Sequence, residues 1–219
     1  FLVNDVVFSV SPSHVCAYFV WEDLEKKLLG RIEANPDDLA AFVELGDGYH
    51  IVKKFDKAIE SFTKGLDAAA KKAGDAAAKS AEADLRSRRF ESYFADAEET
   101  VNSKAADAAP DALKKAYARY EEGLKVAATA DQSVRALWKM AEAAIAMKDD
   151  SNAVLLYHKM LSEFGGVVYA FELKSTSKSA VFAQREIGKI KERNAKACEK
   201  LEEMARDALQ KAVAAKDTK

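Results

Sequence analysis

The amino-acid sequence predicts an all-α protein, an irregular stack of antiparallel helix pairs ending in a long C-terminal helix. Three observations carry this expectation. The 219 residues contain only three prolines and nine glycines, so little interrupts helix formation. Hydrophobic residues make up 49% of the chain, much of it alanine, which favours helices and lets them pack closely. Apolar residues recur at spacings of three and four, and one such stretch has a second copy further along the chain. The length suits one large domain or two small ones.

Residues 1–10, FLVNDVVFSV, are rich in β-branched and aromatic types and read as an extended segment. A helical stack offers such a segment no sheet edge. Leu2, Val3, Val6, Val7 and Phe8 are therefore expected to dock onto another chain, which would satisfy their backbone groups and bury their side chains. Ser11 can cap a helix and Pro12 fits its first turn, which predicts a helix over 12–34. Cys16, Val20, Leu24, Leu28 and Ile32 would form its apolar stripe. Pro36 disfavours helical backbone at Asn35 and ends it. Asp37 or Asp38 can cap the next helix, over 38–53, and another follows over 56–73. Residues 75–108 are alanine-rich and charged around a more apolar centre, FESYFADAEETV. Pro110 starts a helix through residue 128, and helices over 132–147 and 151–163 follow. FGGVVYAFEL reads as a loop or short extended segment, and 178–215 as one long terminal helix. The organisation expected is thus an extended segment (1–10), a helical repeat domain (11–177) and a capping or projecting helix (178–219).

The repeat is the most specific signal. LGDGYHIVKKFDKAIESFTKGL, from Leu45, aligns without a gap to MAEAAIAMKDDSNAVLLYHKML, from Met140. Gly46 meets Ala141, Ala58 meets Ala153, Phe62 meets Tyr157 and Leu66 meets Leu161. A third, partial copy is LKKAYARYEEGL, with Ala116, Tyr120, Gly123 and Leu124 in the matching places. With Leu39 as the first position, Phe42, Leu45, Gly46, Tyr49, Phe55, Ala58 and Phe62 fall in a pattern that resembles the tetratricopeptide repeat, a helix–turn–helix unit of 34 residues. Pro36 stands where a preceding unit would close, whereas Ala70 replaces this unit's own closing proline. The copy from Val134 keeps Leu137, Ala141, Ala153 and Tyr157 but has Ala144 for the tyrosine and Gly165 for the proline; residues 75–109 match poorly. The resemblance covers about half the chain and implies an irregular TPR-like α-solenoid. It also gives Gly46 a reason. A helix interior loses about 1 kcal/mol by holding glycine rather than alanine, and such a unit needs a small residue where its two helices approach. Gly48 meets no such demand in the pattern.

Candidate chemistry is sparse. His14, His50 and His158 are expected on different helices, without metal-ligand spacing. No G-x-S-x-G, P-loop or H-E-x-x-H motif occurs, and the lone Gly-Gly of FGGVVYAF makes no phosphate loop. No enzyme activity, cofactor, metal or small-molecule substrate is expected. Cys16 and Cys198 make neither a disulfide framework nor a zinc site. With 34 basic and 36 acidic residues the net charge is −2, which argues against general polyanion binding. DLRSRRFESYF places Arg86, Arg88 and Arg89 beside aromatic residues, as RNA binders do, but Asp84, Glu91 and Asp96 dilute the charge. AVLLYHKMLSEFGGV resembles a pentatricopeptide unit, a family that binds single-stranded RNA. Nucleic acid is the alternative partner; other protein subunits are the expected one.

By the resemblance, first helices line a concave groove. Val43, Asp47 and His50, then Trp138, Glu142 and Ile145, would face a bound protein or peptide. The family's carboxylate clamp of Lys and Asn is not expected, because Val43 and Asp47 hold those positions. In the terminal helix, Ile187, Ile190, Asn194, Ala197, Leu201, Met204 and Ala208 follow a seam-like spacing, which suits a solenoid cap or a coiled coil with Asn194 fixing register. The function expected is a non-catalytic scaffold, a structural or accessory subunit of a larger complex; a soluble adaptor binding a peptide in the groove is the variant of it. No charge-free apolar run is long enough to span a membrane. The first residue is Phe1 rather than methionine, so either a targeting peptide was removed or the start is missing; an organelle such as the mitochondrion is one expectation and the cytoplasm the other.

Overall fold

Local caps and turns delimit several helices of the chain, as a computed structural model shows for residues 2–3, 6–10, 15–72, 74–102, 110–172 and 175–217. The fold is mainly helical, with successive helices packed in pairs, and it carries two small antiparallel sheets. Two compact units are present, Phe1–Ala95 and Asp96–Lys219. Their boundary falls within one long helix.

The first unit opens with β1 (Leu2–Val3), β2 (Val6–Val10) and β3 (Val15–Phe19), joined in that order as an antiparallel sheet. This corrects the helix expected from residue 12. Val15, Tyr18 and Phe19 are β-prone, and Val15–Phe19 pairs in register with β2, from Val6 opposite Phe19 to Val10 opposite Val15. Cys16 therefore lies opposite Ser9 in a strand rather than in a helical stripe. Ser11, Pro12 and His14 lie outside the described residues. The helix, α1, spans Trp21–Ala34. Of the expected stripe, Leu28 is buried, Leu24 and Ile32 pack partly buried on the core, and Val20 is exposed.

Two helices then pair closely, α2 (Leu39–Ile51) and α3 (Phe55–Ala70). The Asp38 carboxylate caps α2 by accepting from the Ala41 N–H at 3.0 Å. Arg31 binds that same carboxylate at 3.0 Å, tying α1 to the start of α2. These two contacts, the Ala41 N–H first, hold the Asp38 carboxyl below its usual range. Leu28, Ala41, Leu45, Tyr49, Ala58, Phe62 and Leu85 form the core here. Leu85 comes from α4 (Ala76–Asn102), the helix that contains the unit boundary.

Both unusual glycines are contact points. A Cβ on Gly46 would stand 2.2 Å from Phe62 Cε1, so the α3 ring occupies the place of a side chain. A Cβ on Gly48 would stand 1.9 Å from Trp21 Cζ3 of α1. The Trp21 ring also meets Tyr49 edge-on, with centroids 5.1 Å apart.

The second unit contains α5 (Pro110–Val126), α6 (Ala130–Ala146) and α7 (Asp150–Phe164), then β4 (Val168–Glu172), β5 (Ser175–Lys178) and α8 (Ser179–Arg193). The glycine-led stretch thus forms the first strand of an antiparallel hairpin. Thr129 caps α6 and Asp149 caps α7 through their side chains.

The turn of the first pair is rebuilt in the second. Lys53 and Lys148, aligned in the repeat, both adopt left-handed backbone, with φ of 59° and 62°. Lys53 N donates to His50 O and Lys54 N to Tyr49 O; Lys148 N donates to Ile145 O and Asp149 N to Ala144 O, all at 2.8–3.0 Å. These paired bonds make a Schellman motif at the ends of α2 and α6. Left-handed backbone costs a non-glycine residue about 1–2 kcal/mol. Glycine gives back roughly 0.5–1 kcal/mol of that through a freer unfolded chain. Lys148→Gly should therefore raise stability by up to about 1 kcal/mol, read as a higher urea midpoint; a lower midpoint would mean that the lysine itself holds the turn.

The terminal segment is not one helix. It breaks at Asn194 (φ −150°, ψ 80°) into a 3-10 turn, Ala195–Cys198, and α9 (Glu199–Asp217). Asp150 of α7 accepts from the Asn194 amide at 3.1 Å and from Arg193 at 2.5 Å, which favours the break. The turn packs Ala197 and Cys198 against α7 and α8. Asn194 thus faces Asp150 rather than a coiled-coil seam. Ile190 is buried, whereas Met204 is exposed; the Ala208 side chain lies outside the described residues. Among the described residues no helix is long and apolar enough to cross a membrane.

Candidate protein-binding site

The residues expected to line the groove divide into two sets with different fates. Those of α2 are engaged within the first unit. Asp47 forms an ion pair with Arg88 of α4, which also binds Asp84 at 2.9 Å. His50 Nδ1 stands 2.9 Å from Ser92 Oγ, and that hydroxyl donates to Arg88 O at 3.0 Å. The contact links the two helices directly. Ser92 is fully buried, so this pair anchors α2 to α4 rather than offering a nucleophile. Val43 packs partly buried against the core.

Those of α6 converge with other elements in the second unit. Trp138, Glu142 and Ile145 share a cavity of about 300 Å³ with Tyr157 of α7, Phe171 of β4 and four residues of α8. The α8 residues are Phe182, Arg185, Glu186 and Lys189, spaced so that they fall on one helix face. Aromatic rings build the floor. Phe171 and Phe182 stack at 3.8 Å with planes 6° apart. Trp138 meets both edge-on, at 5.6 and 6.1 Å. Tyr157 meets Phe182 edge-on at 6.1 Å. Burial raises the Tyr157 phenol pKa, and the nearby Glu186 and Glu142 carboxylates add to the shift.

Charges line the rim. Lys139 Nζ lies 4.4 Å from the Trp138 ring centroid and 2.9 Å from Glu142. Arg185 lies over Phe182 at 5.1 Å and binds Glu186 at 3.0 Å; Lys189 binds the same carboxylate at 2.8 Å. Phe171, Phe182 and the α8 charges stand outside the repeat pattern. The signals that point to them are the strand alternation of Tyr169 and Phe171 and the helical spacing of Phe182, Arg185, Glu186 and Lys189.

A second cavity, of about 240 Å³, lies in the first unit between α1, α2 and α3, with Leu29, Phe42 and Tyr49 among its walls. Its polar groups are satisfied internally. The Tyr49 hydroxyl donates to Glu25 at 2.6 Å, and burial followed by this bond pushes its pKa to about 12. Lys64 binds Glu60 at 2.7 Å.

Leu2, Val3, Val6, Val7 and Phe8 lie on β1 and β2. Their strands pair with each other and with β3, so the chain itself supplies the sheet edge that was expected from a partner. The arginine-aromatic stretch of α4 has its rings inward. Phe90 and Phe94 are fully buried and stack at 4.4 Å. Arg86 and Arg88 bind acids of their own helix, Glu82 and Asp84. Arg89 reaches Thr63 at 3.5 Å, and its Nε is buried without a partner among the described residues. No group of three metal-ligating side chains occurs among the described residues. No protein-family model matches the chain, and no curated protein matches it.

Proposed function

We propose that this chain is a TPR-like helical-repeat scaffold whose second unit binds a protein partner, as a non-catalytic subunit of a larger assembly. The observation that carries the reading is Trp138 on the floor of an aromatic cavity with a charged rim. A half-buried tryptophan whose edges are fixed by neighbouring rings loses little freedom when a partner covers it, and such residues dominate interface energies. The duplicated turn of α2–α3 and α6–α7 supports the repeat architecture. The pairing of Arg86 and Arg88 with acids supports protein over nucleic acid as partner.

Ile145 tests this without disturbing the aromatic stack. It lines the cavity from α6 and is only half-buried. Partners that co-purify with the native chain would be identified by mass spectrometry, purified, and titrated against the wild type and Ile145→Lys. Binding should weaken by about thirtyfold, the effect of a roughly 2 kcal/mol contact at the centre of an interface. A variant that keeps every partner at unchanged affinity would move the binding surface away from this cavity.

A further inference from the structure

Granting that the Trp138 cavity binds a protein, we infer that it selects a segment with one large apolar side chain flanked by charges of opposite sign. The acidic flank lies toward α8 and the basic flank toward α6. The cavity, about 300 Å³ in volume, has room for a side chain or two rather than a folded element. Its floor of Trp138, Phe171 and Phe182 suits an apolar anchor, above all a flat one that can complete the edge-to-face pattern.

The rim supplies the direction. On α8 the cations face solvent and the anion is tucked beneath them. Lys189 is 56% exposed and Arg185 47%, while the one carboxylate they share, Glu186, is only 16% exposed. The outer layer of that side is therefore positive. On α6 the order is reversed. The Glu142 side chain is 46% exposed, and its partner Lys139 is 27% exposed, with its ammonium over the Trp138 ring. The outer layer there is negative. An incoming anchor thus passes between a cationic and an anionic lip, which penalises a segment bearing two charges of the same sign.

The test uses the full chain, isotope-labelled, with the Trp138 indole N–H followed by NMR. Four N-acetylated, C-amidated tripeptides are titrated: Glu-Trp-Lys, Glu-Trp-Glu, Lys-Trp-Lys and Gln-Trp-Gln. Glu-Trp-Lys should bind tightest, with each same-sign peptide roughly twofold to fivefold weaker, the range of an exposed charge pair. Glu142→Lys should move the preference to Glu-Trp-Glu, and both preferences should shrink at high salt. If all four peptides bind equally, the charge selection is wrong and the aromatic cavity stands. If none binds, the protein-binding reading of the cavity fails as well. Tightest binding by either same-sign peptide would overturn the assignment of the two lips.

Discussion

Replacing Phe182 by alanine should cost the second unit about 3–5 kcal/mol, the usual loss for a buried phenylalanine. Phe182 is 6% exposed, stacks on Phe171, and receives the edges of Trp138 and Tyr157. It therefore connects α6, α7, α8 and the β4–β5 hairpin. Removing the ring leaves a cavity that none of these elements can close alone, because each is held by its own hydrogen bonds. Chemical denaturation should show the loss as a lower midpoint. The control is Val181→Ala, one residue earlier on the same helix but 58% exposed, which should stay within about 0.5 kcal/mol of wild type. Near-equal effects for the two variants would mean that the aromatic cluster does not hold this unit together.

Gly46→Leu should also destabilise, by about 1–3 kcal/mol from overpacking. The opposing effect is real, since leucine is the better helix former by roughly 0.5–1 kcal/mol. Overpacking wins because the Phe62 ring stands 2.2 Å from where a Cβ would be and is itself buried on all sides. The ring cannot rotate away without opening the contact between α2 and α3. Combining Gly46→Leu with Phe62→Ala should recover part of the loss, because the new leucine occupies the vacated ring space. The favourable coupling in that double-mutant cycle is the specific signature of this contact. Thermal unfolding that finds Gly46→Leu as stable as wild type would remove the contact from the account of this helix pair.

These glycines also mark what local pattern can and cannot specify. Gly46 is explicable from sequence because its partner, Phe62, lies on the next helix and aligns with Tyr157 in the similar stretch further along. Gly48 is not, because its partner is Trp21 on a helix outside that pair. The groove residues behave likewise. Their shared face on α2 follows from helical spacing, but the pairing of Asp47 and His50 belongs to α4, through Arg88 and Ser92.

By itself the sequence determined the helical class, two helix pairs with matching turns, and several helix ends, because each depends on residues within a few positions: Asp38, Thr129 and Asp149 as caps, and the shared Schellman turns. Tertiary structure decided the rest. Val15–Phe19 joins a sheet because β2 is there to pair with it, although the following helix could have extended back through the same apolar spacing. The terminal helix breaks because Asp150, far away in sequence, binds Arg193 and Asn194 at the break. The Trp138 cavity exists because residues from α6, α7, α8 and β4 meet in one place. Local propensities differ by only a few tenths of a kcal/mol per residue, so a strand partner, a distant carboxylate or a stacked ring outweighs them.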